Sequence, residues 1–257
     1  MNWHYINTGF NTGKFNMSFD LQLAKLCKPG KAVLRLYRWQ PYCISLGANQ
    51  SIDSVNQVKA NSDNLDIVKR PTGGRAILHA EELTYSVVMP IDKETSVRNI
   101  YYNINMALAS GLKKYDNKLS FIELENLQPN FRNFYKEEKS AVCFAVPAKS
   151  ELKLAGKKLA GSAQRKMGNV ILQHGSILCG EYHKNIVDYL NVSPGERSAV
   201  ISLLDATADI QNITGRTVDY DNLCTAIAEG FESYYEMKFD ASGKDDCFII
   251  ENETLYN

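Results

Sequence analysis

The sequence predicts an α/β fold of the α+β kind, a mixed and largely antiparallel sheet flanked by helices, and three observations carry that expectation. β-rich and helical patterns alternate over residues 17–114. Three strand-like pieces then follow one another over 151–154, 158–166 and 170–178, with tight turns at Ala155-Gly156-Lys157 and Gly168-Asn169 between them. No internal repeat, low-complexity stretch or long linker divides the chain. Residues 1–257 therefore read as a single domain, with 193–257 as a candidate small C-terminal subdomain.

Taken in order, a polar Asn-rich start leads into a helix over 17–26, with Met17, Leu21 and Ala24 at helical spacing and Pro29-Gly30 as its stop. Strands follow at 32–37 and 43–46, and Asp53 or Ser54 can cap a short helix through Lys59. Around Gly73-Gly74 the pattern predicts a hairpin between Ile67-Val68 and Ala76-Ile77-Leu78, with another strand at 83–88. Residues 96–114 read as a longer amphipathic helix that turns Ile100, Ile104, Ala107, Leu108 and Leu112 to the core. A strand at 119–124 and a polar, aromatic surface loop at 126–140 come next. After the three consecutive strands, helices are expected at 184–190 and 218–235, and small strands at 237–239 and 248–250.

Composition excludes several classes of function. Lys plus Arg number 29, as do Asp plus Glu, so the net charge of zero argues against wholesale binding of nucleic acid or an anionic membrane. No apolar run is long enough to span a bilayer, and the start lacks the layout of a signal peptide, so a cytoplasmic location is expected. The cysteines, at 27, 43, 143, 179, 224 and 247, form no CxxC pair and no Cys/His metal spacing, so no zinc or other metal site is expected. Cys27, Cys43, Cys224 and Cys247 have apolar neighbours and read as buried residues of a reducing compartment.

Four segments remain as candidates for chemistry. The stretch Lys69 to Met89, KRPTGGRAILHAEELTYSVVM, places Arg70, Gly73, Gly74, Arg75 and His79 between apolar runs; it reads equally as an active-site loop or as a glycine hairpin with an exposed histidine. Arg70 and Arg75 orient that loop or meet acidic partner surfaces, or are ordinary solvated arginines. Cys143 stands at the end of the irregular loop, ahead of Pro147, where a thiol is more reachable than in mid-strand. In GKKLAGSAQRK, the turn lysines Lys157 and Lys158 precede Gly161, Ser162 and Ala163, small residues that let another chain or a ligand lie against the backbone. Gln173 and His174 interrupt an otherwise apolar strand, as a satisfied core pair or as functional groups.

The combination LRLYRWQPYCISLGANQ, KRPTGGRAILHAEELTYSVV, VCFAVP, GKKLAGSAQRK and ILQHGSIL resembles the lipoate-protein ligase and octanoyltransferase family, which is grouped with the biotin protein ligases. The resemblance implies a class II biotin/lipoate ligase-like fold. It places the family's essential lysine on Lys158 and, in the octanoyltransferase branch where cysteine precedes lysine, the nucleophile on Cys143. It implies that Gly73, Gly74 and His79 wall the acyl pocket, and that octanoate is moved from the phosphopantetheine thioester of acyl carrier protein to a lysine of a lipoyl domain, the glycine-cleavage H protein being the expected acceptor. Neither ATP nor a metal is required in that branch, and a monomer suffices. The alternatives within the family are an ATP-dependent lipoate ligase lacking its accessory domain and a lipoyl amidotransferase; outside it, a non-catalytic module that docks acylated carriers. Where the branch shows Pro-Ser-x-Tyr-Glu after the cysteine, this chain has Pro147-Ala148-Lys149-Ser150-Glu151, and Leu21 follows Asp20 where an acidic residue is common.

Overall fold

A computed structural model describes residues 1–125 and 151–240. The central element is a five-stranded sheet in the order β1-β2-β6-β11-β10, formed by β1 (Asn2–Asn11), β2 (Lys31–Trp39), β6 (Glu82–Pro90), β11 (Val170–Leu178) and β10 (Ala160–Met167). A second sheet, β4-β3-β5, holds Asp66–Lys69, Cys43–Leu46 and Ile77–His79, and a third, β7-β8-β9, holds Glu123–Leu124, Leu152–Leu154 and Lys157–Lys158. The β1·β2 and β3·β4 ladders are parallel and the others antiparallel, the mixed arrangement the sequence predicts.

Period-two alternation gives the central sheet two unlike faces. Leu34, Leu36, Leu83, Tyr85, Val87, Ile171 and Ile177 point to the main core, where they meet α3 (Val97–Tyr115) and α6 (Tyr220–Tyr235) through Ile104, Leu108, Ile227 and Phe231. The α3 helix begins at its Ser96 cap, where the sequence puts it. On the opposite face α1 (Gly13–Leu26) covers Val33, Val88 and Leu172 with Phe19, Leu23 and Ala24. The neighbouring positions on this face, Arg35, Thr84, Ser86, His174 and Ser176, are polar and buried. A sheet face that is both covered and polar is a costly arrangement unless every group is paired, so it marks the region to search for a site.

Several elements depart from the sequence expectations. Residues 2–11 are a strand, not a loop, because they pair in parallel with β2, and Trp3 packs on Tyr235 at 4.9 Å between ring centres. Such a partner lies beyond any local window. The α1 helix starts at Gly13, capped by Thr12. Between β3 and β4, Ser51 caps a 3-10 helix (Ile52–Ser54) and Asn56 caps α2 (Gln57–Ser62). A 3-10 helix (Asn117–Phe121) takes the first half of the strand expected at 119–124 and leaves β7 at its end, and the helix expected at 184–190 is of the 3-10 type over Tyr182–Tyr189. The α4 helix (Pro194–Asp205) opens on a Ser193/Glu196 capping box that the sequence displays, and α5 (Ile210–Thr214) follows. Residues 237–239 are irregular, since Glu236 leaves α6 in the left-handed region and the Glu232 side chain accepts the Phe239 N–H. The expected strand at 248–250, the loop at 126–140 and both Cys143 and Cys247 lie outside the described residues.

The Gly73-Gly74 segment is not a hairpin. β4 and β5 do not pair with each other; they flank β3 on either side. The connection therefore crosses over β3, with Gly74 at φ +98° and its carbonyl so close to Gly47 that a Cβ there would lie 1.9 Å from the oxygen. No described helix is long and apolar enough to cross a membrane.

Candidate active site

The three sheets converge on a cleft enclosing about 440 Å³ of non-atom space. Met17, Tyr37, Trp39 and Ile77 supply an apolar side. Ser45, Arg70, His79, Thr84, His174 and Ser176 form its polar floor, and Lys158, Glu151, Gly161, Ser162, Ala163 and Gly175 close the far wall. Of the residues that the sequence singles out, the cleft thus gathers Arg70, His79, Lys158, Gly161, Ser162, Ala163 and His174. Gly73, Gly74, Arg75 and Gln173 do not line it. Gln173 is tied instead to the Tyr85 hydroxyl at 3.0 Å and to Gln164 at 3.1 Å, within the core side of β11.

The floor is built of hydrogen-bonded relays. His79 stacks on Trp39 at 4.2 Å between ring centres, with Ser45 Oγ 2.7 Å from Nε2 and Glu82 Oε1 2.8 Å from Nδ1. Burial would push the Glu82 carboxyl up, but His79 and the Thr84 and Ser176 hydroxyls overcome it and hold the group below its ordinary range. An ionised Glu82 only accepts, so His79 Nδ1 bears a hydrogen toward it. His174 stands 3.4 Å from Asp20 Oδ2 through Nδ1 and 2.7 Å from Thr72 Oγ1 through Nε2. Burial pushes its pKa down against the pull of Asp20, leaving a neutral ring that accepts the Thr72 hydroxyl. His174 thereby pins the crossover loop to α1.

Arg70 is a brace. Buried, it donates to the carbonyls of Ser45 (2.9 Å), Gly73 (2.9 Å) and Arg75 (2.7 Å) and so fixes the loop from within. These contacts are those of a loop-orienting arginine. Gly73 and Arg75 participate through their backbone oxygens, and the half-buried Arg75 side chain stays outside the cleft lining.

The turn lysines divide. Lys157 is exposed and Lys158 is only 4 % exposed, its backbone clamped by Ala206 O at 3.0 Å and Ala208 N at 2.9 Å. Its ammonium lies 2.9 Å from Oε2 of the equally buried Glu151, whose Oε1 accepts the Ser162 backbone N–H at 3.2 Å. Ser162 is held in turn by Tyr85 (2.6 Å), Asn105 (3.2 Å) and Tyr101 (3.2 Å). Burial first, and then the Glu151 charge, push the Tyr101 phenol well up, so it remains a neutral donor. Small residues on β10 and β11 make the wall thin: a Cβ on Gly175 would lie 2.3 Å from Gly161 O.

Sequence reasoning passes over Glu151, Glu82, Asp20, Thr72 and Ser45. Glu151 had a signal, since it stands in the last position of the Pro-Ser-x-Tyr-Glu pattern. The others join the site only through contacts made across strands. None of the four described cysteines is poised as a nucleophile: burial pushes Cys27 and Cys224 up to about 11 and raises Cys43 and Cys179 as well. Among the described residues no group of three or more His, Cys, Asp or Glu side chains is arranged to hold a metal.

A polar-floored cleft with a buried lysine in a wall of small residues, set on this mixed sheet, defines the domain as one with the lipoate-protein ligase fold. The crystal structure of lipoate-protein ligase A bound with ATP superposes with a TM-score of 0.76 at 18% identity, over 99% of this chain and 92% of that one. A bi-partite lipoate protein ligase from Thermoplasma acidophilum, solved with its E2 lipoyl domain, gives 0.75 at 17% identity, over 99% and 90%. The Lipoyl protein ligase A/B catalytic domain family matches residues 12–232, and the chain belongs to that family. It is 33% identical over 245 residues to octanoyltransferase LipM of Clostridioides difficile, covering 92% of this chain and 88% of the relative. Against octanoyltransferase LipM of Lysinibacillus sphaericus the figures are 33% over 246 residues, 92% and 88%.

Proposed function

We propose that this chain is an octanoyltransferase of lipoate biosynthesis, acting in the cytoplasm as a single catalytic domain and a monomer, without ATP or a metal. The observation that carries this reading is the buried Lys158 ammonium in the cleft wall, in a chain that aligns along most of its length with octanoyltransferases. The donor is the octanoyl thioester of acyl carrier protein. The acceptor is a lysine of a lipoyl domain, with the glycine-cleavage H protein as the first candidate.

In the first half-reaction the Cys143 thiolate attacks the thioester carbonyl; a new C–S bond forms, the carrier's C–S bond breaks, and the carrier sulfur leaves to take up the proton that Cys143 gave up. In the second, the acceptor amine attacks the Cys143 thioester. The C–N bond forms, the Cys143 C–S bond breaks, and the proton lost from nitrogen returns to the Cys143 sulfur. Each step passes through an oxyanion, and a fixed donor aimed at it lowers the barrier by about 3 kcal/mol. Lys158 is that donor. Both nitrogens of His79 are engaged by Ser45 and Glu82, so His79 shapes the floor instead of receiving the amine's proton. The raised thiols of the described cysteines support Cys143 as the nucleophile.

Purified protein incubated with octanoyl-carrier protein and a lipoyl domain, with nucleotide removed by apyrase, tests the reading. Octanoylation of the lipoyl domain is expected. Transfer that requires ATP identifies a ligase and overturns it, and tight binding of the carrier without any transfer identifies a docking module.

A further inference from the structure

We propose that Glu151 is the positioning residue of the transfer reaction, holding the Lys158 ammonium in place. The inference rests on the reading of Lys158 as the oxyanion donor. A lysine head is a compact charge on a flexible stem, and fixing that stem costs rotamer freedom. A catalytic ammonium therefore needs an anchor. The Glu151 carboxylate bridges two donors, Lys158 Nζ at 2.9 Å and the Ser162 N–H at 3.2 Å. Ser162 is itself locked to β6 and α3 by Tyr85, Asn105 and Tyr101, so the chain of contacts runs from the ammonium to the rigid core.

Charge adds to the argument. An ammonium only 4 % exposed is costly without an anion beside it, and the other buried carboxylates among the described residues are committed elsewhere, Glu82 to His79, Asp20 to Arg35, Glu125 to Lys153 and Asp209 to Asn212. Glu151 also holds the Ser162 N–H, one of the backbone donors that the small-residue run offers to an oxyanion. That donor serves Glu151, and the oxyanion falls to Lys158. The carboxylate thus acts through Lys158 and touches no reacting atom.

The full-length chain carrying Glu151→Gln, Glu151→Asp or Lys158→Ala tests this. Two quantities are read: kcat and KM for octanoyl transfer, and the acetylation of Lys158 by an N-hydroxysuccinimide ester, mapped by mass spectrometry against Lys153 in the same sample. For Glu151→Gln, kcat is expected to fall about 100-fold with little change in KM, because a displaced catalytic group loses rate and not ground-state binding. Acetylation of Lys158 relative to Lys153 should rise, because the neutral amide no longer holds an ammonium. Glu151→Asp should recover part of the rate and keep Lys158 protected. Wild-type kcat and wild-type acetylation in Glu151→Gln overturn the proposal. If Glu151→Gln does not fold, Glu151→Asp decides: the withdrawn carboxylate should cost about tenfold in kcat, and no loss overturns the proposal. Full transfer by Lys158→Ala removes the parent reading; loss in Lys158→Ala with an unaltered Glu151→Gln removes only this one.

Discussion

Two buried ion pairs stand on either side of the cleft floor, and they show how similar chemistry is put to different ends. Arg35 and Asp20, both 0 % exposed, join α1 to the sheet. The guanidinium spends its donors on Asp20, the Asn16 carbonyl and side chain, and Thr8, and it lies over the Phe19 and Tyr37 rings at 4.4 and 3.9 Å. Asp20 accepts from Arg35, Ser86 and Tyr37, with His174 beside it. Burial would raise the Asp20 carboxyl, but the Arg35 charge and the contacts of His174 and Arg35 together outweigh it and keep the group low. Lys158 and Glu151 form the other pair, and it faces the cleft. The planar fork of arginine suits a pair that must not move, whereas the compact ammonium of lysine suits a charge offered to a ligand. In the proposed function the first pair holds the fold together and the second serves the reaction.

The largest expected effect breaks the structural pair. Arg35→Ala leaves Asp20 as an unpaired buried charge and should cost about 3–5 kcal/mol of stability, read as a lower urea midpoint, while the protein that remains folded keeps its kcat. Lys158→Ala should do the reverse, lowering kcat by about 10²–10³-fold in a chain that still folds. If the two variants exchange these outcomes, the division of labour is wrong. Gly175→Ala comes next: its Cβ would sit 2.3 Å from Gly161 O and 2.8 Å from Tyr85 Cε1, so β10 must move away from β11 at a cost of about 1–3 kcal/mol, with a measurable rise in KM for the acyl donor.

A smaller effect follows from His174 and His183, both held low by burial. Where the folded pKa lies below the unfolded value of about 6.5, the unfolded chain takes up protons first as pH falls. Stability is therefore full above about pH 6.5 and declines below it. The urea midpoint should drop between about pH 7.5 and about pH 5.5, and His174→Asn should shallow that slope. The smallest effect belongs to Cys27, whose thiol burial raises to about 11: Cys27→Ala should leave octanoyl transfer within about twofold of wild type.

Much of the fold was legible in the sequence where local pattern and tertiary role agree. The β11 strand occupies residues 170–178 as the pattern predicts, and α3 starts at its Ser96 cap. The glycine-loop segment was legible as important and misleading as a hairpin, because nothing within Lys69 to Met89 reveals that β3 lies between its two strands. Lys158 could be named from its motif, but the difference between it and Lys157, one buried and one in water, is made by Glu151 and by the segment after α4. The polar floor was the least legible part. Glu82, Asp20 and Ser45 look like ordinary strand or helix residues until the packing of the central sheet, the second sheet and α1 turns them to one floor.

The measurement that bears most directly on the account is the intact mass of the protein after exposure to octanoyl-carrier protein, with no nucleotide and no acceptor. The account predicts a single added octanoyl group that maps to Cys143, is released by hydroxylamine, passes to a lipoyl domain when one is added, and is absent from Cys143→Ser. A Cys143→Ser protein that still transfers octanoate at the wild-type rate would contradict it.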